Sequence, residues 1–419
     1  MVWHLPSTVV STPDTPGGNN PDNPFSGIPF FGDLMRMMNA QSTSPWDSAA
    51  QLAVSIASGG TSEANVDPGD RIELERFARI AAMHVEAVTG QALSPAGSEL
   101  RIVAATRSQW AQQALRDYRP LFEQLSASLN QPPAAAPGDA SSQDGEGTGD
   151  PLAAMLGGMM QMMAPLMLGM TAGSMVGHLA ERALGTYHLP LPRPPATQLQ
   201  LIVPNIDSFA AEWSIERPEL RMWVCLSELV HHSVLSRPHV AERLNTALTR
   251  YVGGFRADPT ALQDLLGGFD PMSMADPGKA ADLGKIFGDP TALLGIIRSP
   301  QQQAMLPGLE ALVAAVVGYV DHQMDELAQR LLGSAGRLTE ALRRRRVQAS
   351  EADRFVERLL GLELTQTTYD RGAAFVAGVV ERAGEDGLAR LWERDETMPT
   401  AAEIDAPGLW LARIEFISS

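Results

Sequence analysis

Apolar residues in this chain recur at helical spacing almost throughout, and a two-residue alternation stands out at one place. From Asp70 onward, Ile72, Leu74, Phe77, Ile80, Ala81 and Val85 follow one another mostly at intervals of three and four, the period that lays one face of a helix on a core. The same reading predicts two helices before Leu129, divided near Tyr118 to Pro120, and further helices over 218–235, 239–253, 308–332, 335–346, 350–360, 370–383 and 385–392. The alternating stretch is QLQLIVPN, a short strand or extended segment ended by Pro204 and Asn205. A chain patterned in this way is expected to be mainly α, a multi-helix fold with at most one short extended segment or minor β element.

At 419 residues the chain exceeds one compact core, which suggests two helical domains plus flexible segments. Residues 1–27 are rich in Pro, Gly, Asn, Ser and Thr and cannot offset their ordering entropy, so they are expected to be disordered. Residues 28–130 form an N-terminal helical region, whose first apolar stretch, 28–38, is expected to dock on the body. Residues 131–150, QPPAAAPGDASSQDGEGTGD, form a flexible linker, and 151–419 a second helical domain. Residues 152–177 carry no charge, yet many Gly and polar residues dilute them, so a membrane span is not expected. Gly169, Gly173 and Gly177 recur every fourth residue, giving a bare helix face that a second helix can approach closely.

Charge and cysteine content remove several function classes. A net charge of -17 repels nucleic acid and anionic lipid. The single cysteine, Cys225, excludes an intramolecular disulfide framework and any multi-cysteine metal site, and fits a reducing, cytoplasmic setting. The N-terminus shows no secretory pattern. Walker loops, GxGxxG after a strand and EF-hand loops are absent from the sequence, so ATP, NAD and calcium roles lack support.

The segment RMWVCLSELVHHSVLSRPHV is the most informative chemically. A zinc-peptidase helix reads His-Glu-x-x-His, because two imidazoles four residues apart project onto one metal while the Glu polarises the bound water. Here the pattern is Ser227-Glu228-Leu229-Val230-His231. PFSGIPFFGDLMRM, SPWDSAAQLA, HLPLP, LIVPNIDSFAAEWSIERPELRMW, VVGYVDHQMD, ALRRRR, FVERLLGLEL and MPTAAEIDAPGLWLARI follow in an order that resembles a bacterial family of zincin-like, hydrolase-type proteins of uncharacterised function.

That resemblance covers most of the chain and implies a zincin-like metallopeptidase scaffold. It also implies that Glu228 is a vestigial general base and His231 a surviving, weak metal ligand, with Ser227 at a lost ligand position. The family's downstream block reads Glu-Gly-Tyr, whose Glu is the implied third ligand; here it is Val317-Gly318-Tyr319, so Val317 marks a second lost position. A serine hydroxyl is a poor zinc ligand, and one imidazole does not hold zinc where three protein donors are usual. No cofactor is therefore expected.

The rival reading is an active metal-dependent hydrolase with substituted ligands, drawn from His232, Asp321 and His322, with His188 and His239 also within consideration. Ser227 as a nucleophile is disfavoured, since a mid-helix position offers no oxyanion hole and no GxSxG elbow surrounds it. The run Arg343 to Arg346 reads as a helix C-terminus complementing the dipole, with Glu351 and Asp353 as possible ion partners. The expectation is a zinc-free, inactive relative of peptidases that binds or scaffolds an unknown protein partner or itself.

Overall fold

A computed structural model describes residues 44–94, 100–129, 168–195, 197–255 and 299–418. The expected disordered segment 1–27, the docking stretch 28–38 and the linker 131–150 lie outside the described residues. From Pro45 onward the described chain packs as one unit around one contiguous hydrophobic cluster, with contributions from both sides of residues 130–167.

Helix α1 (Pro45–Ala57) buries Ala49, Ala53 and Ala57, a small-residue face. It meets the helix over 168–182, α4, on the predicted glycine stripe: a Cβ on Gly173 would collide with the Ala49 carbonyl oxygen. Helix α2 (Pro68–Thr89) starts where Asp67 accepts a hydrogen bond from the Gly69 N–H and stops at Gly90, which adopts φ 63°. Leu74, Phe77, Ala81 and Val85 are buried as the spacing predicts, whereas Ile72 is exposed.

Strand β1 (Arg101–Ala105) falls in a stretch read as helical, and it pairs in parallel with β2 (Gln198–Ile202), Arg101 opposite Gln198 and Ala105 opposite Ile202. RIVAA is too short for its period to distinguish strand from buried helix, so only its partner decides. The expected break near Tyr118 to Pro120 is also absent, because α3 (Arg107–Leu129) runs through Pro120. Trp110, Ala114, Tyr118, Phe122 and Leu125 continue one buried face across the proline, and that packing outweighs the roughly 3 kcal/mol an interior proline costs.

After β2 come α5 (Val203–Glu212), the motif helix α6 (Arg217–Leu235) and α7 (Pro238–Val252). Helix α6 is fixed at its first turns by Arg221, whose guanidinium pairs with Asp70 and Glu73 of the α2 segment and with Asp207 of α5. Helix α8 (Pro300–Leu331) begins eight residues before its expected start, at a capping box in which Ser299 and Gln302 bond each other's backbone N–H groups. By length and composition α8 is apolar enough to cross a membrane, but 61% of its most apolar window is buried inside the protein, as befits a core helix.

Helices α9 (Ala335–Val347), α10 (Glu351–Leu360) and α11 (Gln366–Ala389) follow, and Gly384 inside α11 takes φ 66°, ψ -172°, breaking the helical path where two separate helices are predicted. Two short 3-10 turns and a final helix α12 (Pro407–Ser418), which the sequence reading did not assign, complete the fold. The mainly α class with a minor β element holds: the described residues contain one two-stranded sheet.

Candidate functional site

The motif helix crosses the interior with residues 223–230 buried, so its chemistry can only face a cavity or the core. A cavity of about 150 Å³ lies beside it, and Ser227, Glu228, His231, Val317 and Asp321 all line it. With His188, which also lines it, the structure brings six of the named candidate positions around one space. His232 and His322 do not line it: His232 pairs with the Tyr187 hydroxyl at 3.0 Å, and His322 is bonded to Glu385 at 2.9 Å near the surface.

The Glu228 carboxyl is gripped by the backbone N–H of Tyr187, at 3.2 and 2.9 Å from its two oxygens. Gly185 makes room for it, since a Cβ there would collide with the carboxyl carbon. Trp110 of α3 holds the Gly185 carbonyl through its indole N–H at 2.8 Å. Arg193 locks the rest of this loop to α3, stacking 4.2 Å over the Tyr118 ring, donating to the Tyr118 hydroxyl and Thr186 carbonyl, and pairing with Asp117. Burial pushes the Glu228 carboxyl up to about 8, with the Tyr187 N–H and Arg193 only partly opposing it.

His231 donates from Nδ1 to the Ser227 carbonyl oxygen at 2.8 Å and stacks on Tyr187 with ring centroids 5.9 Å apart. Nδ1 carries the proton, so Nε2 is the acceptor nitrogen, the tautomer that metal-ligating histidines adopt. Burial pulls the imidazole down to about 4, helped by Arg346 and opposed by the Ser227 carbonyl and Asp321. The donor set that zinc needs is nevertheless missing: Ser227 and Val317 offer the cavity a hydroxyl and an aliphatic side chain, Asp321 is clamped by both Arg346 nitrogens at 2.8 and 2.7 Å, and no group of three His, Cys, Asp or Glu among the described residues could hold a metal ion. The side chains present do not fit zinc.

The lining also carries arginines, interleaved with carboxyl groups. Arg182, Arg345 and Arg346 line the cavity together with His188 and Asp353. Arg343, Arg344 and Arg346 pair with Asp325, Glu340 and Asp321, and Asp353 pairs with Arg182, so the expected pairing of the arginine run with Asp353 is replaced by these partners. The sequence reading passed over Gly185, Tyr187 and Arg193, which flank the HLPLP block, and Arg182; Trp223 and Arg345 lay inside segments it singled out, the motif helix and the run 343–346, without being given a place at the cavity. His239 instead bonds the Trp392 carbonyl.

Together, a mainly α scaffold and a buried Ser-Glu-x-x-His helix beside a cavity point to the zincin-like class. The family model for zincin-like metallopeptidases matches residues 45–411. The chain belongs to that family. Among solved structures it is similar to a "putative hydrolase with a novel fold" from Chloroflexus aurantiacus, with TM-score 0.55, 22% identity, and coverage of 88% of this chain and 98% of that one; this shows a shared fold. A search of curated proteins gives no match.

Proposed function

We infer that this chain is a member of the zincin-like hydrolase-type family that works without zinc and does not cleave peptides, its retained cavity serving to bind a ligand or partner in the cytoplasm. The observation that carries this reading is the donor set: Ser227 and Val317 stand beside His231 where further ligands would be required. Glu228 argues the same way, because a carboxyl held protonated up to about 8 is a poor proton acceptor at neutral pH. The charge of -17 favours a partner that is neither nucleic acid nor anionic lipid.

Zinc measured by mass spectrometry on tag-free, chelator-free protein tests the reading. Less than a tenth of an equivalent, with no rise in melting temperature on adding zinc, is expected. One equivalent that disappears in His231→Ala would overturn it. The rival, a metal-dependent hydrolase with substituted ligands, draws support from one observation, the ligand-type tautomer of His231; peptide cleavage abolished by chelation would establish that rival.

A further inference from the structure

Three buried polar atoms on residues of the cavity wall have no hydrogen-bond partner among the described residues, and they are of opposite kinds. Trp223 of α6 is 7% exposed and its indole N–H donates to nothing. Asp353 of α10 is 3% exposed. Its Oδ2 accepts the Ser350 N–H at 2.9 Å, whereas Oδ1 accepts nothing, its neighbour His188 Nε2 standing off at 3.7 Å. The third atom, Arg182 Nε, keeps an ion contact with Asp353 Oδ2 at 3.3 Å. A buried donor or acceptor left unmade costs stability, so the Trp223 N–H and Asp353 Oδ1 mark places where an acceptor and a donor are wanted.

Charge on the wall does not select an ion. The lining holds three arginines and four carboxyl groups, so it offers an anion no surplus of positive charge. Arg346 is committed to Asp321, and Arg345 lies 4.7 Å over the ring of Phe209, which with Glu212 lines a neighbouring pocket. A cation at the bare Asp353 oxygen would sit beside the Arg182 guanidinium, which repels it. Val224, Val317, Val320, Leu342 and Leu364 supply an apolar remainder to the lining. A space of about 150 Å³ is the size that accepts one benzene-sized guest.

We propose that this cavity binds a small neutral molecule carrying both an acceptor and a donor on a compact apolar body, such as a primary carboxamide, whose oxygen takes the Trp223 N–H and whose N–H meets Asp353 Oδ1. The inference deepens the metal-free reading above and rests on it. A neutral amide gives up far less hydration than an ion on entering a largely apolar space. It also carries its acceptor and its donor on different atoms, matching a donor on α6 and an acceptor on α10.

Benzamide is the probe, titrated calorimetrically into the full chain, with near-isosteres as controls: acetophenone accepts without donating, benzoate is the anion and benzamidine the cation. Saturable one-to-one binding of benzamide is expected, roughly tenfold or more tighter than each control. Trp223→Phe should weaken benzamide severalfold, with far-ultraviolet dichroism unchanged. In Asp353→Asn the side-chain oxygen can stay on the Ser350 N–H while the amide nitrogen takes the place of Oδ1, so benzamide should lose its lead over acetophenone. If one variant fails to fold, the other and the titrations of the unaltered chain still decide. No benzamide binding, or binding of any control as tight as benzamide, overturns the inference. Zinc content is measured on the same preparation: metal-free protein that ignores benzamide sinks this inference and leaves the metal-free reading standing, whereas one equivalent of zinc sinks both.

Discussion

Glu228→Gln isolates the most perturbed carboxyl in the site. The native carboxyl keeps its proton until about pH 8, while in the unfolded chain it ionises near 4.5. Between those values the unfolded chain has released a proton that the native protein retains, so rising pH favours unfolding; stability is fullest below 4.5, declines through the window and levels off above 8. At 1.36 kcal/mol per pH unit, wild type should lose roughly 4 kcal/mol from this group between pH 5 and pH 9. Glutamine does not titrate, still accepts the Tyr187 N–H and fits beside Gly185. His231, which is held neutral, and Glu357 titrate in both proteins and cancel in the difference. Urea unfolding followed by circular dichroism at unit steps of pH gives the two stabilities. The variant should be within about 1 kcal/mol of wild type at pH 5 and more stable by several kcal/mol at pH 9. A difference that stays flat across the range would show that Glu228 ionises normally, and would refute both the burial argument and the claim that it is a poor base.

Two further perturbations probe the inherited geometry and the scaffold. Ser227→His combined with Val317→Glu should create zinc binding close to one equivalent, removable by chelator, because both positions line the cavity beside His231; a folded double variant that stays metal-free would show that the ancestral ligand geometry is gone. Gly173→Val should destabilise by roughly 2 kcal/mol or more, since its side chain has to displace the Ala49 backbone of α1; an unchanged melting temperature would mean that α1 and α4 are not closely packed there.

Much of this protein is local and was therefore readable in advance. The motif helix, the small-residue stripe of α4, the break at Gly384 and the mainly α class all arise from spacing, from glycine geometry or from caps that act within a few residues. The placement of Ser227, Glu228 and His231 on one cavity follows from their positions on one helix, and Val317 joined them through the family resemblance. What failed was non-local. The five residues of β1 became a strand because β2, almost a hundred positions away, offers backbone groups to pair with. Pro120 stays inside a helix because Tyr118 and Phe122 on either side are buried by distant partners.

The arginine run shows the same division at the site. Sequence alone determined that residues 343–346 end a helix and carry four charges. Only the tertiary structure decided which of those charges are spent, since Asp321 and Asp325 come from α8 and Phe209 from α5, brought alongside by packing. A chain's spacing fixes which residues share a face, because the helix period is a property of the backbone. Whether a charge on that face is matched, and whether a carboxyl such as Glu228 keeps its proton, depends on the dielectric and the partners that other segments bring to it.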